Sequence, residues 1–235
     1  IKRSIVNISD ISFAKFHSCK TSNIHMRLNT HFMHLQNIAY IDISNWIVRN
    51  ATGFDGSLLN AQNCMFISIQ YMSITHCQIF ATNPTHISAL FTITNVHSVS
   101  IKYSSFRASV LSLYKIKNFT DILFKNNIFE HIMSKNYEII YLFKKIANKN
   151  FKVVFQGCQF LSLSNILTSV YIDILITKSE KVTNPPFNNI FLDRNKFQNC
   201  SSILGTVYIN LHNKGDSEVE GNGSVVLTHC LFVKN

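Results

Sequence analysis

The chain has 235 residues, with 22 Lys and Arg against 12 Asp and Glu, a net charge of +10, 46% hydrophobic residues and only 14% charged ones. That balance excludes a disordered chain, which is charge-rich and poor in apolar residues. The shortage of Glu and Ala excludes a coiled coil, and 7 Gly with 3 Pro exclude a collagen-like chain.

In chain order, one eight-residue template recurs. It reads Val6-x-Ile8-x-x-Ile11-x-Phe13, then Ile41-x-Ile43-x-x-Trp46-x-Val48, Leu59-x-Ala61-x-x-Cys64-x-Phe66 and Met72-x-Ile74-x-x-Cys77-x-Ile79. It continues as Val99-x-Ile101-x-x-Ser104-x-Phe106, Ile122-x-Phe124-x-x-Asn127-x-Phe129 and Val153-x-Phe155-x-x-Cys158-x-Phe160. It ends with Ile190-x-Leu192-x-x-Asn195-x-Phe197 and Val225-x-Leu227-x-x-Cys230-x-Phe232. The mean spacing is about 27 residues, inside the range that marks stacked repeats.

Each template reads as a short bent strand. Its first two apolar positions alternate, as a half-buried strand requires. The extra residue then shifts the phase, so that a small Cys, Asn or Ser turns inward and the aromatic two positions later returns to the core. Asn and Ser suit a bend because their side chains bond nearby backbone. After Phe160 and Phe197 come short apolar pairs, then Val170-Tyr171-Ile172 and Val207-Tyr208-Ile209. Each unit is therefore expected to hold three strands. The step from Leu59 to Met72 is too short for a whole unit, so one of those two matches is expected to lie on another face. Residues 137–143 read as strand and 144–150 as loop. The stretches Thr177 to Asn189, with Pro185-Pro186, and Asn210 to Ser224, with three glycines, read as loops between strands.

This pattern resembles the right-handed parallel β-helix of the pectate-lyase-like superfamily. The segment from Phe197 to Ile209, with Asn199-Cys200 and Gly205, is similar to the repeats of polymorphic-membrane-protein-like surface proteins. The resemblance implies an all-β fold, a right-handed parallel β-helix of about seven to nine irregular rungs with loop insertions. Residues 1–235 would form a single unit and a fragment of a longer solenoid, since the chain opens at Ile1 without a leader pattern and closes just after a Phe-ending strand. Remaining rungs or a capping partner would then cover its end.

Equal template positions on neighbouring rungs would stack about 4.8 Å apart. Cys64, Cys77, Cys158 and Cys230, with Asn127 and Asn195, are thus expected in one interior column. Phe106, Phe129, Phe160, Phe197 and Phe232 are expected in another. Buried free thiols are the expected state of the Cys column, with disulfides between adjacent rungs the alternative. No C-x-x-C pair occurs, so no zinc site is expected. His25, His31 and His34 lie close in sequence without a Cys or acidic partner. His76 and His229, each before a template Cys, are expected to face outward.

Glycan-cleaving enzymes of this fold resemble one another in clustered acidic residues, and general acid–base work needs paired carboxylates. Here Asp42, Asp173 and Asp193 fall at different template positions, while Asp216, Glu218 and Glu220 alternate in a Gly-rich segment and read as a solvated patch. No catalytic residue, metal ligand or cofactor site emerges. Sequons stand at Asn7, Asn50, Asn118, Asn199 and Asn222, acceptors of N-glycans if the chain enters the secretory pathway.

The densest basic group, Lys144, Lys145, Lys149 and Lys152, reads as a solvated face, so no nucleic-acid partner is expected. No run approaches the roughly 20 apolar residues of a membrane-crossing helix, so no span is expected. The expected function is a non-enzymatic, secreted or cell-surface scaffold for adhesion or recognition of a carbohydrate or protein. The alternatives are a polysaccharide lyase or glycoside hydrolase of the pectate-lyase-like fold, and an architectural segment of a larger assembly.

Overall fold

A computed structural model describes residues 4–26, 30–80, 89–134, 137–146, 150–164, 166–177, 188–214 and 223–235. Among them there is strand and no helix. The chain first lays down β1 (Ser4–Ser9), β2 (Phe13–His17), β3 (Lys20–Ser22) and β4 (His25–Met26). The order returns in β5 (His31–Gln36), β6 (Tyr40–Ser44), β7 (Ile47–Arg49) and β8 (Thr52–Phe54). In β9 (Ser57–Gln70) the first two members run together, followed by β10 (Ser73–Thr75) and β11 (Gln78–Phe80); β12 (Ala89–Lys102) and β13 (Ser105–Val110) repeat that fusion. Thereafter come β14 (Ser112–Lys117), β15 (Asp121–Lys125) and β16 (Ile128–Met133), then β17 (Ile140–Ile146), β18 (Phe151–Gln156) and β19 (Gln159–Leu161). The series closes with β20 (Val170–Thr177), β21 (Asn188–Asp193) and β22 (Lys196–Gln198), and β23 (Val207–Lys214), β24 (Gly223–Thr228) and β25 (Leu231–Val233).

The named ladders are all parallel. They form three faces. The first runs β1–β5–β9–β12–β14–β17–β20–β23 and the second β2–β6–β9–β12–β15–β18–β21–β24, joined into one sheet by the long β9 and β12. The third, a separate sheet, runs β3–β7–β10–β13–β16–β19–β22–β25, with β4, β8 and β11 as a short side ladder. Parallel neighbours need a long connection; here the connection is the chain's passage through the other faces. Equivalent residues lie from 23 residues apart (Asn95 to Asn118) to 37 apart (Cys158 to Asn195).

The corners are made by single residues in the left-handed region. Between the first and second faces stand Asp10, Asn37, Asn63, Asn95 and Asn118; between the second and third, Ser18, Asn45, Tyr71, Tyr103, Asn126, Gly157, Arg194 and His229. Past the third face stand Asn23, Asn50, His76, Ala108, His131, Ser162 and Asn199. Asn and Asp tolerate this conformation better than other side-chain-bearing residues. At Gly157 a Cβ would approach Asn126 Oδ1 to 2.4 Å, so a side chain there would push the Asn126 amide aside. The first corner adds an exposed amide ladder. Asn37 donates to Asp10 at 2.8 Å, Asn63 to Asn37 at 3.3 Å, Asn95 to Asn63 at 3.0 Å and Asn118 to Asn95 at 2.9 Å.

The residue after each second-corner hinge turns inward, giving the column Cys19, Trp46, Met72, Ser104, Asn127, Cys158, Asn195 and Cys230. Its two asparagines are buried and clamp the preceding turn. The Ser104 N–H donates to Asn127 Oδ1 at 2.9 Å while Asn127 Nδ2 donates to the Ile101 carbonyl at 2.8 Å. In the same way the Cys158 N–H donates to Asn195 Oδ1, and Asn195 Nδ2 donates to the Phe155 carbonyl, both at 2.9 Å. Two positions on, Phe106, Phe129, Phe160, Phe197 and Phe232 stack at 5.1, 4.7, 4.7 and 4.9 Å with rings near parallel. The first four are fully buried; Phe232, at the end of the column, is 47% exposed.

Several expectations are corrected. Cys158 and Cys230 share the second-corner column, but Cys64 pairs with Val96 at the first corner, and Cys77 stands at the third. All three corners share one local grammar, a hinge followed by an inward residue, which a sequence template cannot tell apart. At the first corner two outward residues, Met65 and Phe66, follow Cys64, so the template's Phe66 faces solvent. Within Cys158 and Cys230's column Asn195 intervenes, and all six cysteines are free thiols. The early units hold a fourth short strand rather than three strands. β17 begins later and runs further than expected, to Ile146. Lys144, expected on a solvated face, points inward, donates to the Phe119 carbonyl and lies over the Phe119 and Phe151 rings. The described ends of the two expected loops lie in β20, β21, β23 and β24, and 178–187 and 215–222 lie outside the described residues.

Candidate functional site

The residues singled out in sequence do not converge. Asn7 is exposed on β1, and Asn50, Asn118 and Asn199 are exposed at corners in the left-handed region. Asn222, Asp216, Glu218 and Glu220 lie outside the described residues. Asp42 and Asp193 face outward on β6 and β21 of the second face, several strands apart, and Asp173 is on β20 of the first. Among the described residues no group of three His, Cys, Asp or Glu could hold a metal ion. His25 meets Thr52 Oγ1 at 3.0 Å through Nδ1, and His31 meets Ser57 Oγ at 2.6 Å and Asn60 at 3.0 Å. His76 and His229 are exposed hinges.

A cluster does form on the outer side of the first face. Strand alternation turns Ile140, Leu142, Val170 and Ile172 inward, which obliges Tyr141, Tyr171 and Tyr208 to face out. Parallel register then places these tyrosines in one row, continuing from Lys115 on β14. Their ring centroids are 5.5 and 5.0 Å apart, and their planes are tilted by 42° and 30°. The neighbouring row carries Lys117, Phe143, Asp173 and Asn210. The Tyr141 hydroxyl donates to Asp173 Oδ2 at 3.5 Å, and Lys117 lies 5.8 Å from the Phe143 ring centroid.

Glu138, just before β17, completes the cluster. It is 95% buried by its 5% exposure, and its Oε2 has no hydrogen-bond partner among the described residues. Burial pushes its carboxyl above the usual value, against backbone hydrogen bonding and the charge of Lys115. Burial likewise lowers Lys115, helped by the like charge of Lys117 and opposed by Glu138. Tyr141 is raised well above the ordinary phenol range, by burial first and then by the charges of Asp173 and Glu138. Burial also raises Tyr171, opposed by a hydrogen bond from Asn210. Perturbed groups gathered beside aromatic surface are the usual chemistry of a binding or catalytic site. Two positive and two negative side chains meet here around three half-buried tyrosines.

Sequence reasoning missed this cluster because it lies off the template. The signal was present in three apolar–Tyr–apolar triplets, Ile140-Tyr141-Leu142, Val170-Tyr171-Ile172 and Val207-Tyr208-Ile209. Elsewhere on the surface, Phe13 and Tyr40 stack at 5.3 Å, as do the hinge residues Tyr71 and Tyr103. No family model, curated protein or solved structure matches the chain. No described helix is long and apolar enough to cross a membrane.

Proposed function

We propose that the chain winds as a right-handed parallel β-helix, one turn for each successive strand of the second face, and serves as a non-enzymatic recognition scaffold at a cell surface or outside the cell. The observation that carries this reading is the outward Tyr141–Tyr171–Tyr208 row with its balanced Lys115, Lys117, Glu138 and Asp173, held by β17 and β20, whose inner residues Ile140, Leu142, Val170 and Ile172 are buried, and by β23, whose inner Val207 and Ile209 are partly buried. A row fixed by backbone register presents contacts without paying to order them on binding. The exposed corner sequons Asn50, Asn118 and Asn199 fit a secreted chain. Immobilised protein is to be screened against polysaccharides and surface-protein extracts, with reducing ends and unsaturated products measured in parallel. Retention of a carbohydrate or protein without product supports the scaffold.

The second reading, a polysaccharide lyase or glycoside hydrolase of the pectate-lyase-like fold, is favoured by the same Lys115, Glu138, Tyr141 and Asp173 standing together. Product formation by the parent protein that Glu138→Gln abolishes would establish that reading instead.

A further inference from the structure

We infer that the tyrosine row of β17, β20 and β23 takes an uncharged, hydroxyl-rich oligosaccharide laid along it, an inference that rests on the recognition reading above. The rings set the shape. The interior phenylalanines stack nearly flat, 6° to 13° apart, and use both faces on one another. The three tyrosines are tilted by 42° and 30° and half-buried, so part of each ring face turns outward. A sugar ring offers an apolar C–H face to such a surface and hydroxyls around its rim.

The charges set the class. Glu138 and Asp173 oppose an anionic ligand, and Lys115 and Lys117 oppose a cationic one. A neutral polyol is compatible with both pairs, because hydroxyls donate to carboxylates and accept from lysines. Glu138 makes the strongest demand. Its carboxyl is buried beside Lys115, Tyr141 and Tyr171, and its Oε2 has no partner among the described residues. A buried acceptor left unmatched is costly, and a ligand hydroxyl that entered as the covering side chains parted would supply the missing donor.

The test is titration calorimetry with cellohexaose, mannohexaose, laminarihexaose and chitohexaose, and with hexagalacturonic acid as the charged comparison. At least one neutral hexasaccharide is expected to bind more tightly than the anionic one. Tyr171→Ala should weaken it at least tenfold and Glu138→Gln several-fold, with the β-sheet circular dichroism of both variants unchanged. Tyr71→Asn, at a hinge on another edge, should leave binding as it was. Preference for hexagalacturonic acid, or binding unmoved by both Tyr171→Ala and Glu138→Gln, overturns the inference. Binding lost in Tyr71→Asn alone overturns this site and spares the scaffold. Cleavage of the bound sugar supports the site and overturns the non-enzymatic reading. If no sugar binds, the inference fails, and the scaffold stands or falls on the surface-protein screen.

Discussion

Asn195, buried to 1% exposure, bonds the turn of the strand beneath it twice, accepting at Oδ1 from the Cys158 N–H and donating from Nδ2 to the Phe155 carbonyl. Asn195→Ala is expected to cost about 2–4 kcal/mol, because two buried backbone groups lose their partners; urea denaturation measures it. The exposed hinge Asn63 is different. Asn63→Gly should cost under about 1 kcal/mol, since glycine adopts the same backbone freely and the two ladder bonds it removes are exposed to water, whereas Asn63→Val should cost on the order of 1–2 kcal/mol. Glu138 gives a pH signature. Its folded carboxyl holds its proton more tightly than the unfolded chain does, with burial the main cause. The stability it contributes is full below its ordinary value of 4.5 and is lost as pH rises through the raised folded value. Thermal melts of Glu138→Gln and the parent should therefore coincide near that lower limit and separate toward neutral pH, the variant melting higher. Parallel pH profiles would show that the carboxyl is not strained.

At the scale of the strand, the phenylalanine column tests the packing. Phe160 lies between Phe129 and Phe197 at 4.7 Å on each side, while Phe232 has a ring on one side only. Phe160→Ala should cost about 3–5 kcal/mol and Phe232→Ala less than half as much, measured by the same denaturation. The sequence carried this column plainly, because a repeated aromatic at fixed distance from a bend leaves little freedom once strands stack in parallel. It carried the thiol column poorly: Cys64, Cys77 and Cys158 follow hinges that look alike locally and differ only in which face comes next. It did not disclose the tyrosine row. Tyr141, Tyr171 and Tyr208 are spaced by intervals that depend on insertions elsewhere in the chain, and the burial of Glu138 depends on neighbours no local pattern names.

Across the whole molecule, contacts among the described residues run almost entirely between paired strands of the parallel faces, so stability should be graded along each face. Interior residues of β12, β14 and β15 are covered on both sides, whereas Val6 and Ile8 are only partly buried and Val225, Leu227 and Phe232 are exposed. Amide hydrogen exchange should be slower by about tenfold or more in β12 and β15 than in β1 and β24; uniform protection from end to end would contradict a nearest-neighbour stack.

The uneven spacing of equivalent residues has a practical side. Only three positions separate Lys117 of β14 from Asp121 of β15, yet ten separate Thr177 of β20 from Asn188 of β21, and both pairs of strands keep their ladders. The short junction holds the hinge Asn118 and the buried Phe119, so a foreign peptide belongs only where the spacing between strands is already long. There the architecture could carry an epitope or tag, at a closure penalty that grows only slowly with the length of the graft.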